Sequence, residues 1–237
     1  MRKTKAAIFD VDMTLTKRVV GYELYKYLNE TGVFPDENME SIDNVIDNYG
    51  KGRISYDILC KTYDSAVTSG LCGKSVRDVE RAAARVFHTH DFYFSYAREL
   101  VNLFSGEKKV LISTGPKEII SLVAADLGTD DFFASEIRRM NGTYLGDLGV
   151  CMSPKDAKKK LVIHYAEKNG IDLSESFGFG DSGHDSHLEI VGYPVVLNPR
   201  PEFIGTARDR GWTILTEHDD VIGKVKEMKG ALNGRHN

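Results

Sequence analysis

The sequence predicts an α/β fold: a parallel sheet with helices on both faces, interrupted after its first strand by an all-helical insertion. Three observations predict it. Short apolar runs bounded by Gly or charge alternate with segments that are apolar at helical spacing, the pattern of strands joined by crossover helices. Residues 16–91 break that alternation. There Tyr22, Tyr25 and Leu28, then Ile42, Val45 and Ile46, recur at helical spacing and no strand-like run is found. Finally, acidic residues directly follow two of the runs, and ligands of an open α/β sheet gather outside the carboxyl ends of its strands.

The first strand is Ala6–Phe9, whose unbroken apolar character suits a strand buried on both faces. In the insertion, Gly32 and Pro35, Gly50-Lys51-Gly52 and Gly70 to Gly73 mark the breaks between helices. Val110–Ser113 reads as the second core strand, and Gly115-Pro116 opens a helix over Lys117–Leu127 with Pro near its first position. Glu136–Met140 and Thr143–Leu148, split by Asn141-Gly142, read as a hairpin. Helix Lys155–Lys168, strand Ser176–Phe179 and helix Asp185–Val191 follow. Strand Val195–Leu197, helix Phe203–Arg210, strand Trp212–Leu215 and helix Val221–Met228 complete the alternation. The domains that result are a core of residues 1–15 and 92–229, a helical insertion over 16–91, and a polar, frayed tail over 230–237.

A chain of 237 residues suits one sizeable domain carrying a smaller insertion. With 41% hydrophobic and 28% charged residues it reads as soluble and globular. No apolar run approaches the ~20 residues of a membrane-spanning helix. Met1 to Lys5 is basic but leads into a short strand rather than the apolar core of a signal peptide. Cys60, Cys72 and Cys151 are odd in number and form no C-x-x-C pair, which argues against a disulfide scaffold and fits a reducing cytoplasm. The net charge is −4, and the insertion holds 10 basic and 12 acidic residues, so no nucleic-acid partner is expected. Nothing in the sequence fixes an oligomeric state.

The chemistry lies in the acidic clusters. Asp10 and Asp12 follow the first strand; Asp181 and Asp185 follow Phe177-Gly178-Phe179-Gly180. Residues two apart at a strand end point the same way, so both members of Asp10-Val11-Asp12 can reach one phosphate. One aspartate can attack phosphorus, splitting a hard displacement into two steps, while the second carboxyl handles the leaving-group proton. Four carboxylates in one crevice need a counter-charge, and a hard divalent cation such as Mg2+ supplies it, with Asp181 a ligand and Asp185 a further ligand or the holder of a ligating water. Ser113, with Thr114 beside it, offers a hydroxyl to a phosphate at the start of a helix. A lysine of the run Lys155, Lys158, Lys159, Lys160 can place a point charge on the phosphate. Each feature has a plainer reading: an acidic surface turn, a helix cap, a solvated basic face. Their order on strand ends favours the chemistry.

With those residues in hand, the chain resembles the haloacid dehalogenase superfamily, and within it the phosphoserine-phosphatase-like branch (subfamily IB). The motifs are Asp10-Val11-Asp12-Met13-Thr14, Ser113 after a hydrophobic strand, a lysine before the last catalytic strand, and Gly180-Asp181 with Asp185. The branch's spacing selects Lys158 as that lysine. Gly192-Tyr193-Pro194-Val195-Val196-Leu197-Asn198-Pro199 is similar to a further stretch of that branch. The resemblance implies a three-layer Rossmann-like core with a helical cap. It implies Asp10 as nucleophile, Asp12 as general acid/base, and Mg2+ held by Asp10, the main-chain carbonyl of Asp12, and Asp181. It implies hydrolysis of a small-molecule phosphomonoester. The alternatives are phosphoserine phosphatase proper, a phosphotransferase or mutase of the same fold, and a non-catalytic metal- or phosphate-binding protein.

The cap departs from the branch. Val19 stands where phosphoserine phosphatases carry a substrate-binding glutamate, with Glu23 one helical turn on. Lys61 aligns near their substrate-binding arginine, and His184 replaces a substrate-contacting asparagine, so both are candidate substrate residues. His184 and His187 beside the two aspartates also allow a zinc or di-metal site, although an oxygen-rich site suits Mg2+ better. The cap aromatics, among them Tyr25, Tyr56 and Tyr63, serve either helix packing or a cage for a quaternary ammonium group.

Overall fold

A computed structural model describes residues 4–234, with the backbone alone at Asn233. Seven strands form a single sheet in the order β4-β3-β2-β1-β5-β6-β7. They are β1 (Ala6–Phe9), β2 (Lys108–Pro116), β3 (Asp131–Met140), β4 (Thr143–Val150), β5 (Phe177–Gly180), β6 (Tyr193–Leu197) and β7 (Thr213–Leu215). β1 lies between β2 and β5 and runs parallel to both, in register Ile8↔Val110 and Ile8↔Gly178. The chain leaves β1 toward β2 on one side and later returns to β5 on the other. This reversal opens a crevice at the carboxyl end of β1.

Alternation along β1 explains the layers. Ala7 and Phe9 join a core that includes Phe104, Phe177 and Phe179, while Ala6 and Ile8 join a second core with Val162 and Ala166. Phe9 stacks on Phe179 of the neighbouring strand at 4.7 Å. Both faces of the sheet are covered, as the apolar run predicts.

Between β1 and β2 lie α1 (Val20–Glu30), α2 (Asp36–Gly50), α3 (Tyr56–Leu71), α4 (Val76–Thr89) and the short α5 (Ala97–Asn102). The expected glycine and proline breaks fall between α1 and α2, α2 and α3, and α3 and α4. The helices bury Leu24, Leu28, Ile42, Val67 and Val79 against one another and against the core. Packing is close: a Cβ on Gly70 would lie 2.4 Å from the Phe34 ring. The far end of this helical unit is tied to the sheet by backbone hydrogen bonds. The N–H groups of Gly73 and Val76 donate to the carbonyls of Tyr144 (2.9 Å) and Gly142 (2.9 Å), and that of Tyr144 donates to the Lys74 carbonyl (3.1 Å).

The second half contains α6 (Lys117–Leu127), α7 (Ala157–Asn169), α8 (Pro201–Asp209) and α9 (Val221–Gly234). The Asn141-Gly142 turn has φ of 51° and 79°, as a two-residue hairpin turn requires. Several boundaries differ from expectation. β2 continues through Ser113 to Pro116 with a register shift, so Pro116 is the cap of α6 rather than its first residue. The hairpin is longer than its alternating stretch, because the start of β3 pairs parallel with β2 and joins it to the main sheet. The helix expected over Asp185–Val191 is a 3-10 turn, Ser186–Glu189. There the Asp185 side chain takes the N–H groups of Asp181 and Ser182, and Gly192 packs on the Ser174 carbonyl, which holds the chain too tightly for a full helix. α9 runs through Gly234 with Leu232 buried, so the first part of the expected tail is helical; residues 235–237 lie outside the described residues.

Candidate active site

The carboxyl ends of β1, β2 and β5 and the start of α7 bring the expected residues together. The Asp10 N–H donates to the Phe179 carbonyl at 2.9 Å, which carries the β1–β5 ladder one residue beyond the strands. Met13 has a left-handed φ of 63°, and the Leu15 N–H returns to the Val11 carbonyl at 2.9 Å. That tight loop brings the Thr14 hydroxyl to Asp10 Oδ2 at 2.9 Å. Lys158, the second residue of α7, places its Nζ 2.6 Å from both Asp10 Oδ1 and Asp185 Oδ1. All three side chains are buried. The run Lys155, Lys159 and Lys160 stays at the surface or half-exposed, as its plainer reading has it.

Asp12 faces a different set of partners. Its Oδ1 accepts from the Val20 N–H at 2.8 Å, the first residue of α1, where a carboxylate caps the helix. Its Oδ2 lies 3.4 Å from the Ser113 hydroxyl, whose oxygen also accepts from the Gly115 N–H at 2.9 Å. The acid of the first motif therefore touches both the second motif and the helical insertion.

The β5 loop is organised by Asp185. Its Oδ2 accepts from the N–H groups of Asp181 (2.9 Å) and Ser182 (3.0 Å) and from the Ser182 hydroxyl (3.2 Å). Gly180 makes this possible: a Cβ there would stand 2.6 Å from the Asp185 carboxylate. Asp181 Oδ2 accepts from Arg200 Nε at 3.1 Å, and the Arg200 N–H donates to the Asp181 carbonyl.

The charges do not balance. Four carboxylates face two cations, Lys158 and Arg200. Burial, reinforced by Asp185, holds the Asp10 carboxyl well above its usual range and pushes Asp181 up to about 7. Burial likewise holds Asp12 up to about 6. Asp185 goes the other way: burial opposes ionisation, but Lys158 outweighs it and holds the carboxyl low. Carboxylate oxygens of Asp10, Asp181 and Asp185 lie within 4.8 Å of one another. A compact, all-oxygen, charge-deficient cluster of this kind fits a hard divalent cation. The Asp12 side chain stands outside the cluster.

Other expected residues are placed elsewhere. Thr114 lines a small separate cavity with Tyr25 and Tyr63. Lys61 is exposed on α3 and has no hydrogen bond among the described residues. His184 stacks on Tyr56 of α3, with ring centres 3.3 Å apart, and closes the insertion onto the β5 loop. His187 is buried with Nε2 on the Phe179 carbonyl, and neither histidine joins the carboxylate cluster. The side chains that the sequence did not single out are Arg200 on Asp181 and Asp64 on α3, which accepts from the Cys151 thiol. Arg200 carried a signal, since it follows Asn198-Pro199 at the end of another parallel strand.

A model of haloacid dehalogenase-like hydrolases matches residues 7–188. The chain belongs to this family. Among known proteins, a phosphoserine phosphatase of Mycobacterium tuberculosis is 24% identical over 223 residues, covering 89% of this chain and 70% of its own. A crystal structure of a Bordetella pertussis Tohama I protein of unknown function superposes with a TM-score of 0.77 at 22% identity, covering 90% of this chain and 99% of the other. A substrate-bound phosphoserine phosphatase superposes with a TM-score of 0.69 at 19% identity, covering 96% and 99%. These structures share the fold of this family member. Among the described residues, no helix is long and apolar enough to cross a membrane.

Proposed function

We propose that this family member is a phosphatase that hydrolyses monoesters of small phosphorylated metabolites through an aspartyl-phosphate on Asp10. The observation that carries this reading is the division of labour between two acids on one strand end. Asp10 is aligned by Lys158 and Thr14, while Asp12 is set apart on Ser113 and the Val20 N–H. In the first step an Asp10 oxygen attacks phosphorus, the bond to the leaving oxygen breaks, and the Asp12 carboxyl gives that oxygen its proton. In the second step water attacks the same phosphorus and passes a proton to Asp12. Phosphate departs and the Asp10 carboxylate is restored. Burial holds the Asp12 carboxyl up to about 6, within reach of both roles near neutral pH.

Lys158 and Ser113 would hold the phosphoryl oxygens. Asp10 and Asp181 would hold Mg2+. Asp185, whose two oxygens already serve Lys158 and the β5 loop, would support them and is the third candidate ligand. Bound there, the ion supplies positive charge to the phosphoryl oxygens. Residues 16–91 would act as a cap that closes over the ester and excludes water, with Tyr56 on His184 as its contact with the core.

The test is phosphate release from a broad panel of monoesters, with Mg2+ and with EDTA. Release that requires Mg2+ and is lost in Asp10→Asn is the expected result. Full hydrolysis by Asp10→Asn would remove the nucleophile. Transfer to an added alcohol in place of water would make the protein a phosphotransferase.

A further inference from the structure

The two cations at the strand ends are held differently. Lys158 is buried and divides its Nζ between Asp10 and Asp185. Arg200 pairs with Asp181 alone among the described residues, and its side chain is 35% exposed. It follows Asn198-Pro199 at the end of β6, beside β5, where its main-chain N–H donates to the Asp181 carbonyl at 3.1 Å. That bond ties the two loops together without the guanidinium. Only Nε of the guanidinium bonds to the carboxylate, 3.1 Å from Oδ2, and the terminal nitrogens make no hydrogen bond among the described residues. An arginine that braces a carboxylate frequently grips it with two parallel N–H groups. Here the contact is single and reaches toward solvent, and Asp181 Oδ1 accepts no hydrogen bond among the described residues. Asp181 itself is buried and belongs to the cluster of three carboxylates that fits a divalent cation.

We propose that Arg200 is a displaceable counter-ion: it neutralises Asp181 when no ion is bound and is released when Mg2+ takes that carboxylate. The inference rests on the metal assignment in the phosphatase reading and goes beyond it, since it gives Arg200 a part in loading the site. A buried carboxylate needs a counter-charge, and Arg200 supplies one from the solvent edge. A guanidinium and a divalent ion on the same carboxylate repel, by an amount worth about tenfold in affinity even at the dielectric of water. Lys158 cannot take this part, because its release would strip two buried acids at once. The site then stays folded before loading but grips the ion less tightly. A permanent brace behaves in the opposite way: its loss weakens the fold and ion binding together.

The experiment measures Mg2+ binding by titration calorimetry, at mildly alkaline pH so that protons do not compete for the carboxylates, and thermal unfolding in EDTA. Arg200→Gln should unfold at a lower temperature in EDTA yet bind Mg2+ about tenfold more tightly, so its midpoint should rise further on adding Mg2+. Arg200→Lys keeps the charge and should bind Mg2+ much as the wild type does. In the wild type, the Arg200 Nε–H resonance, assigned by its loss in Arg200→Lys, should be protected from solvent exchange in EDTA and exchange freely with Mg2+. This second reading decides the matter if Arg200→Gln does not fold. Mg2+ binding in Arg200→Gln that equals or falls below the wild type, or an Nε–H that stays protected with Mg2+ bound, overturns the inference. Wild-type binding that vanishes in Asp181→Asn keeps the metal assignment intact through that loss. No Mg2+ binding by the wild type, or binding that Asp181→Asn leaves unchanged, would overturn both.

Discussion

The strand-end site and the cavity beneath the insertion are neighbours built on opposite principles. At the strand ends, Asp10, Lys158 and Asp185 hold one another in short hydrogen bonds, and each carboxylate there has a donor. Around the small cavity lined by Tyr25, Tyr63 and Thr114, the two tyrosine rings meet edge-on at 6.1 Å and Val67 and Leu148 share the lining. The strand-end groups are held in place by ion pairs and hydrogen bonds, whereas the cavity is shaped by packing.

The comparison can be broken most directly at Lys158. Replacing it by Met leaves Asp10 and Asp185 buried without their cation, which should cost about 3 kcal/mol or more of stability at neutral pH. Urea unfolding would show the loss, and it should shrink as pH falls and the carboxylates take up protons. A stable Lys158→Met protein at pH 7 would mean that the site is less tightly locked than its distances imply.

His187 tests the same locked region from behind. Burial pushes its ring down to about 4. Its folded pKa lies below its unfolded one, so the unfolded chain binds the extra proton. The contribution of the neutral ring is complete above about 6.5 and is lost as pH falls toward about 4, a total of about 3 kcal/mol. His187→Gln keeps a donor for the Phe179 carbonyl and removes the titration. The difference between the two stability curves should therefore change across that window; parallel curves would refute the assignment.

Gly180→Ala should cost about 1–3 kcal/mol, because the methyl group meets the Asp185 carboxylate at 2.6 Å. Turnover should fall with it, as Asp185 aligns Lys158. The smallest effect is expected where the insertion meets the β5 loop. His184→Ala removes the stack on Tyr56, worth about 1 kcal/mol, and should raise KM more than it lowers kcat. An unchanged KM would show that this stack does not help close the insertion.

The two regions also differ in how far the sequence revealed them. Asp10, Asp12, Ser113, Lys158, Asp181 and Asp185 could be found because a parallel sheet delivers its strand ends to one edge, a placement that needs no detailed packing. Arg200 reaches Asp181 only because β5 and β6 are neighbours, and strand order is not written in any local pattern. On α3, periodicity separates buried from exposed residues but does not say which buried side meets the site. Lys61 was the candidate there, yet one residue turns a helix by about 100°. The side chains facing inward are Tyr56, Tyr63 and Asp64, and Lys61 points to solvent. Thr114 is placed apart for a related reason: the residue next to Ser113 on a strand faces the other way. The Asp185–Val191 segment has helix-forming composition, but a single carboxylate claims the preceding backbone donors.

The backbone bonds between residues 73–76 and the Asn141-Gly142 hairpin have a mechanical consequence. A plate joined to its base by two adjacent cords can swing like a door; a third pin at the far edge removes that freedom. The helical unit has two covalent cords, at its entry from β1 and its return to β2, and this hydrogen-bonded pin. Admitting a substrate must therefore bend the plate or draw the pin. Amide exchange at Val76 and Tyr144 would tell which, since only the second exposes those hydrogens at the rate of opening.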